Sequence, residues 1–317
     1  MKEIGGFFEL ELKKGKEFHE NAVALNSARN CLRFIIRNNG IKRLLVPFFA
    51  CDAVTDALLA EAVEIKFYNI DDDFCPILNG YENDFLLYIN YFGICSRNIG
   101  DLTKNHAKLI IDNAQAFYSK QVPNIDTFYS PRKFFGVPDG GYVYCSVKRG
   151  YEKIEMSISF DQFEHLVKRI DLSARDAYSA FRKAEDSLDG APIRKMSNLT
   201  KALLKSIDYE TIREKRLENF THLHHALGAF NELSIKLGSD DVPLVYPFLT
   251  KTADLRKKLI QNSIYVATYW PDSKNRITAR SREDYLVSNL VPLAIDQRYG
   301  KEEMDYIIAM VKDNLQV

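Results

Sequence analysis

The chain has 317 residues and balances 43 Lys and Arg against 43 Asp and Glu, so its formal net charge is zero. It holds no basic block of the kind that tracks a phosphate backbone, which argues against nucleic acid as a partner. Its opening residues form no apolar signal core and no apolar run approaches bilayer length, so a soluble, cytoplasmic protein with no membrane contact is expected.

From about residue 22 to 146, short apolar runs alternate with helical patterns. This is the pattern of an α/β domain in which helices cover both faces of a mostly parallel sheet. Strands are expected at 22–25, 44–46, 65–68, 85–89, 108–111, 127–129 and 142–146, and helices are clearest at 28–38, 53–60 and 98–105. Ligands of an open parallel sheet gather at the strand C-termini, which would set Ser27, Asp112 and Ser130 along one edge. Beyond Gly150 two long helical stretches are expected, 160–187 and 199–230, with no strand signal until 242–249. The remainder reads as strand, helix, strand, helix at 242–249, 252–262, 264–268 and, after Pro292, 302–314. The chain thus divides into a large unit with bridging helices over 1–230 and a small C-terminal α+β unit over 231–317. Five cysteines are scattered without a Cys-x-x-Cys pair, which fits reduced, mostly buried thiols in the cytoplasm.

The chemistry concentrates between residues 109 and 141. In Leu109-Ile110-Ile111-Asp112-Asn113-Ala114-Gln115 an acidic residue stands at the C-terminal tip of an apolar strand. A lysine follows in the next loop, Ser130-Pro131-Arg132-Lys133, and then the turn Asp139-Gly140-Gly141. A carboxylate and an amine so placed suit pyridoxal 5'-phosphate: the carboxylate keeps the pyridine nitrogen protonated, and the amine holds the aldehyde carbon. The bland alternatives are a strand-end Asp112 that caps a turn and a solvated loop lysine.

These motifs, with Asn26-Ser27-Ala28-Arg29 before them and Leu290-Val291-Pro292-Leu293-Ala294-Ile295 after, resemble the DegT/StrS-type sugar aminotransferases over most of the chain. That family is a branch of the aspartate aminotransferase fold, the PLP-dependent fold type I. The resemblance implies a large α/β/α domain and a small C-terminal domain, a homodimer, and pyridoxal phosphate bound to Lys133 as its Schiff base. It also implies Asp112 against the pyridine nitrogen, Gln115 near the ring hydroxyl, and the phosphate at Ser27, Ala28, Arg29 and Ser130. Asn198 would reach the neighbouring subunit's phosphate, although as a bare sequence feature it is a helix N-cap. An aromatic residue usually stacks on the ring in this family. The matching position is Cys51, so either Phe49 stacks or the ring lies against a thiol. Tyr91 and Phe92 match an aromatic loop at the mouth of the substrate site, and Arg298, with Arg276 and Arg280, is a candidate grip for a donor carboxylate. The activity implied is transfer of an amino group from an amino acid, glutamate first, to a keto sugar, nucleotide-linked, in cell-surface polysaccharide or amino-sugar biosynthesis.

Two departures weigh on the substrate. The stretch Ile4-Gly5-Gly6-Phe7-Phe8-Glu9-Leu10 lacks the family's N-terminal helical arm, and the region Asp296-Gln297-Arg298 stands where the family has a histidine. The competing readings are another pyridoxal-phosphate reaction on a non-sugar substrate and a non-catalytic or regulatory protein that keeps the fold and cofactor. No metal is expected: His222, His224 and His225 lack acidic or cysteine partners at ligand spacing and read as solvated, and Asp71-Asp72-Asp73 reads as a charged turn. No Gly-x-Gly-x-x-Gly and no Gly-Lys-Ser/Thr loop is present, which removes nicotinamide and nucleoside-triphosphate readings.

Overall fold

The computed structural model describes residues 4–78, 80 and 84–315, so residues 1–3 of the opening stretch lie outside the described residues. An eight-stranded sheet organises the first half. Its strands are β1 (Val23–Leu25), β2 (Arg43–Pro47), β3 (Glu64–Ile70), β4 (Pro76–Ile77), β5 (Phe85–Ile89), β6 (Leu109–Asn113), β7 (Asp126–Tyr129) and β8 (Gly141–Tyr144). Their spatial order is β1-β8-β7-β6-β5-β2-β3-β4. β3, β2, β5, β6 and β7 run parallel, and β8 is antiparallel to both its neighbours, β7 and β1. β1 therefore points the same way as the parallel set, and the C-termini of β1, β2, β5, β6 and β7 share one edge.

Helices α1 (Ala28–Asn39), α2 (Asp52–Leu59) and α3 (Ser96–Asn105) connect these strands. α1 shows why the local sequence suffices. Ser27 caps it by accepting from the Asn30 N–H, Gly40 ends it in the left-handed region, and Cys31, Leu32, Phe34, Ile35 and Ile36 form one buried stripe. Every residue of β6 is buried, as a central strand covered on both faces must be.

The second half departs from the two long helices expected. The 160–187 stretch is a short 3-10 turn at Phe160–Gln162, then α4 (Glu164–Asp171), then α5 (Ala174–Asp186). The break has a local cause. Ser173 and Asp176 form a reciprocal capping box that starts a new helix where the first has ended. The 199–230 stretch divides in the same way into α6 (Asn198–Lys205) and α7 (Tyr209–Leu227), with Asp208 capping the second. β9 (Tyr246–Leu249) begins four residues later than expected and α8 (Leu255–Gln261) follows. The expected strand at 264–268 is irregular; Ile264 and Val266 are buried there by packing, without a strand partner. The partner of β9 is instead β10 (Leu290–Leu293), antiparallel, reached through α9 (Arg282–Asn289) and followed by α10 (Lys301–Lys312).

Three apolar cores result among the described residues. One fills the large sheet and its helices. A second joins α7, α8 and α10 to the β9/β10 pair through Phe220, Leu223, Phe248, Leu259, Leu293 and Met304. The third packs Phe134 and Phe135 of the lysine loop against Phe117, Tyr142, Met196 and Leu204. No helix among the described residues is long and apolar enough to cross a membrane.

Candidate active site

Asp112 is the penultimate residue of β6, at the shared C-terminal edge, and is 6% exposed. One of its oxygens accepts from the Ala114 N–H at 2.7 Å. Burial pushes its carboxyl up to about 6, against the pull of Lys133 and of that hydrogen bond. Lys133 ends the 3-10 turn Pro131–Lys133 that follows β7, so the strand order itself brings its charge within reach of Asp112. A buried carboxylate is tolerable when a cation faces it, and a pyridinium would be such a cation.

Gln115 lies just past Asp112. Its Oε1 accepts from the Phe92 N–H at 2.8 Å, which leaves Nε2 buried with no acceptor among the described residues. A buried donor without a partner costs free energy unless a ligand meets it. The ring oxygen of the expected cofactor would do so.

The β1–α1 turn supplies the opposite end. Ser27 is buried, its Oγ accepts from the Asn30 N–H at 3.1 Å, and Ala28 opens the helix, whose first turn holds no acidic side chain. Such a helix start favours an anion. A Cβ on Gly141 would stand 2.5 Å from Ser27 C and 2.6 Å from Ala28 N, so only glycine allows β8 to lie this close to the turn. Asp139, from the same glycine turn, is buried and accepts from Ser197 Oγ at 2.8 Å, from the Ser197 N–H at 3.1 Å and from the Thr200 hydroxyl. That locks the start of α6 against the lysine loop. Ser130 is buried at the end of β7. These residues fit a pyridoxal-phosphate cradle: a carboxylate, an unmet amide donor and a helix N-terminus without acidic side chains on one sheet edge, with a lysine in the adjoining loop.

Cys51 and Phe49, the two candidates for the ring face, lie in different surroundings. Cys51 caps α2, and its thiol feels both Lys133 and Asp112; burial pushes it up. Phe49, in contrast, is fully buried, 4.8 Å from the Trp270 ring and 5.6 Å from the Tyr91 ring. The thiol, not the phenyl ring, borders the Asp112–Lys133 space.

Comparison with solved structures places this architecture among known folds. DesV from S. venezuelae, solved in complex with a ketimine intermediate, superposes with a TM-score of 0.62 at 17% identity, over 92% of this chain and 84% of its own. NtdA from Bacillus subtilis, with bound cofactor PMP, gives 0.66 at 15% identity over 92% and 72%. A DegT/DnrJ/EryC1/StrS aminotransferase from Brucella abortus gives 0.62 at 15% over 92% and 85%. The chain has the fold of these aminotransferases. No protein-family model and no curated protein sequence matches it.

Several expected contacts fall elsewhere in this fold. The Arg29 guanidinium is taken by the Leu188 carbonyl at 2.7 Å and by Asp189 at 2.9 Å. Tyr91 and Phe92 are fully buried rather than at a mouth: the Tyr91 hydroxyl donates to the Phe49 carbonyl at 2.7 Å, and both rings belong to an aromatic core with Phe74. The N-cap of α6 is Ser197, which leaves Asn198 exposed as the first helical residue. Arg276 clamps the turn beside Cys51 by donating to Phe48, Ala50 and Asp52, and Arg280 is exposed. Arg298 shares a cavity with Lys133, paired to Asp296. His222 pairs with Asp305 at 2.6 Å at the surface, His224 with the Tyr246 hydroxyl at 3.2 Å, and His225 is exposed.

One residue escaped sequence reasoning. Arg216 is 2% exposed and sits behind the lysine loop. Its signal was present, since it occupies the apolar stripe of α7 that continues through Phe220, Leu223 and Leu227.

Proposed function

We propose that this protein is a cytoplasmic, homodimeric, pyridoxal-phosphate-dependent aminotransferase that moves an amino group from an amino acid to a keto sugar. The observation that carries the reading is the buried Asp112 carboxylate at the tip of β6, within the electrostatic reach of Lys133 on the neighbouring strand's loop. The fold of sugar aminotransferases over 92% of the chain supports it. When bound, pyridoxal phosphate supplies an electron-withdrawing ring and an aldehyde carbon.

The chain's residues then divide the work. Asp112 would face the pyridine nitrogen and keep it protonated. Gln115 Nε2 would meet the ring oxygen, the start of α1 at Ser27, Ala28 and Arg29 would hold the phosphate, and Cys51 would border the ring. Lys133 Nζ would hold the aldehyde carbon and serve as the base that takes and returns the donor's α proton. Asn198, exposed at the start of α6, would serve the second subunit.

Reconstitution tests this. The polypeptide incubated with pyridoxal phosphate should turn yellow, glutamate should bleach it, and borohydride should fix the cofactor on Lys133, as mapped by mass spectrometry. Lys133→Ala should abolish all three. A colourless wild-type protein, or a label on a different lysine, would remove the reading. A keto sugar offered to the glutamate-treated protein should restore the colour.

A further inference from the structure

A cavity of about 760 Å³ opens beside Lys133 and extends beneath the α4–α5 hairpin. That volume is within the range of small-molecule sites. Its walls are mainly apolar: Phe135 from the lysine loop, Leu166 and Ile170 from α4, Tyr178 and Phe181 from α5. Neutral hydrogen-bonding side chains, which a free sugar would require in number, are few there. The charges, however, are unbalanced. Arg132, Lys133, Arg169, Arg216 and Arg298 face the cavity against only Glu185 and Asp296. Both carboxylates are engaged, Glu185 by Arg132 and Asp296 by two Arg298 nitrogens at 2.7 and 2.9 Å.

Arg216 is the deepest of these cations. Its Nη atoms donate only to the main-chain carbonyls of Pro243, Leu244 and Phe134, at 3.1 to 3.4 Å, and its Nε has no acceptor. Among the described residues no carboxylate makes a direct ion pair with it; the charge of Asp296 reaches it but is already engaged by Arg298, and a buried cation so weakly compensated is costly. Arg132 Nε at the same cavity is also buried with no acceptor among the described residues. Two unmet guanidinium donors and an excess of positive charge in an apolar chamber describe the complement of an acid with a hydrophobic body.

We propose that this cavity holds the non-reacting part of the amino acceptor, and that this part is an organic anion with an apolar body, its acid group on the Arg216 side and its body along the α4–α5 hairpin. The assignment rests on the reading of Lys133 as the reacting amine.

Titration calorimetry on the holoprotein tests it with decanoate, decanol and UDP as probes. Decanoate should bind one site per chain, and decanol, which has the body without the charge, at least about tenfold more weakly. Arg216→Gln should weaken decanoate by a similar factor. Should that variant fail to fold, Ile170→Asp provides the same test from the surface, because Ile170 is 83% exposed and no core depends on it. Its added carboxylate should cost decanoate about tenfold. No decanoate binding, equal binding by Ile170→Asp, or UDP tighter than decanoate would overturn the proposal, while glutamate bleaching of the same holoprotein would leave the aminotransferase reading standing. A protein that bound decanoate but never took up the cofactor would overturn the acceptor role through failure of that reading.

Discussion

The Arg216 guanidinium lies 4.6 Å from the centroid of the Phe134 ring, and its Nη2 donates to the Phe134 carbonyl at 3.4 Å. Phe134 directly follows Lys133, so a buried cation on α7 fixes the backbone that carries the amine. Gln297 donates to the same carbonyl at 2.9 Å. Replacing Arg216 with Met keeps the packing but strips donors from buried carbonyls. Arg216→Met should lose about 2 kcal/mol of stability, read as a lower urea midpoint at unchanged slope. Turnover should fall while borohydride still labels Lys133, because the amine is present but poorly held.

Asp112 predicts a pH dependence of the apoprotein. Its carboxyl is raised by burial to about 6 from 3.8. The folded state thus holds the proton more tightly than the unfolded one, and stability must fall as pH rises from about 4 to about 7. Two units correspond to about 3 kcal/mol. Asp112→Asn should remove that contribution, read as the difference between the variant's and the wild type's urea titrations across the window. Bound cofactor should also remove it in the wild type, because a pyridinium partner makes the ionised form the stable one.

His19 should act in the opposite sense. Its Nε2 donates to the Phe117 carbonyl at 2.9 Å, its ring sits 4.1 Å from that of Tyr129, and burial pushes it down to about 4. The unfolded chain binds the proton first, so this residue's contribution is lost as pH falls from about 6.5 to about 4, by about 3 kcal/mol. This window overlaps that of Asp112, and the wild-type curve would appear nearly flat. The difference between wild type and His19→Phe should expose the slope; identical curves would refute the buried neutral imidazole.

Gly141 gives the most local test. Gly141→Ala would drive a methyl into the backbone of Ser27 and Ala28, at 2.5 and 2.6 Å. Rigid backbone cannot yield as a side-chain tip would, so the β1–α1 turn must shift. Affinity for pyridoxal phosphate should drop at least about tenfold, about 1.4 kcal/mol, in absorbance titrations. Global stability should fall as well. Unchanged cofactor affinity would place the phosphate elsewhere.

Much of the cradle was legible in the chain because its signals are local. The apolar run ending at Asp112, the serine that caps α1 and the glycine turn after Lys133 each depend on neighbours a few residues away, and the strand edge that gathers them follows from parallel pairing. The helix breaks at Ser173 and Asp208 were local too, yet the apolar periodicity on either side ran across them and masked the caps.

What only the tertiary structure decided is which side of each element met what. Tyr91 and Phe92 were buried by Phe74 and Phe49, remote in sequence, and the thiol of Cys51 came to border the Asp112–Lys133 space because Phe49 was drawn into that same core. Arg29 was claimed by the 188–189 turn, and β9 found β10 rather than the nearer 264–268 segment. Periodicity along the chain determines an element and its apolar face. Partners, charge compensation and the cavity beside Lys133 arise from contacts between distant segments, which no local pattern encodes.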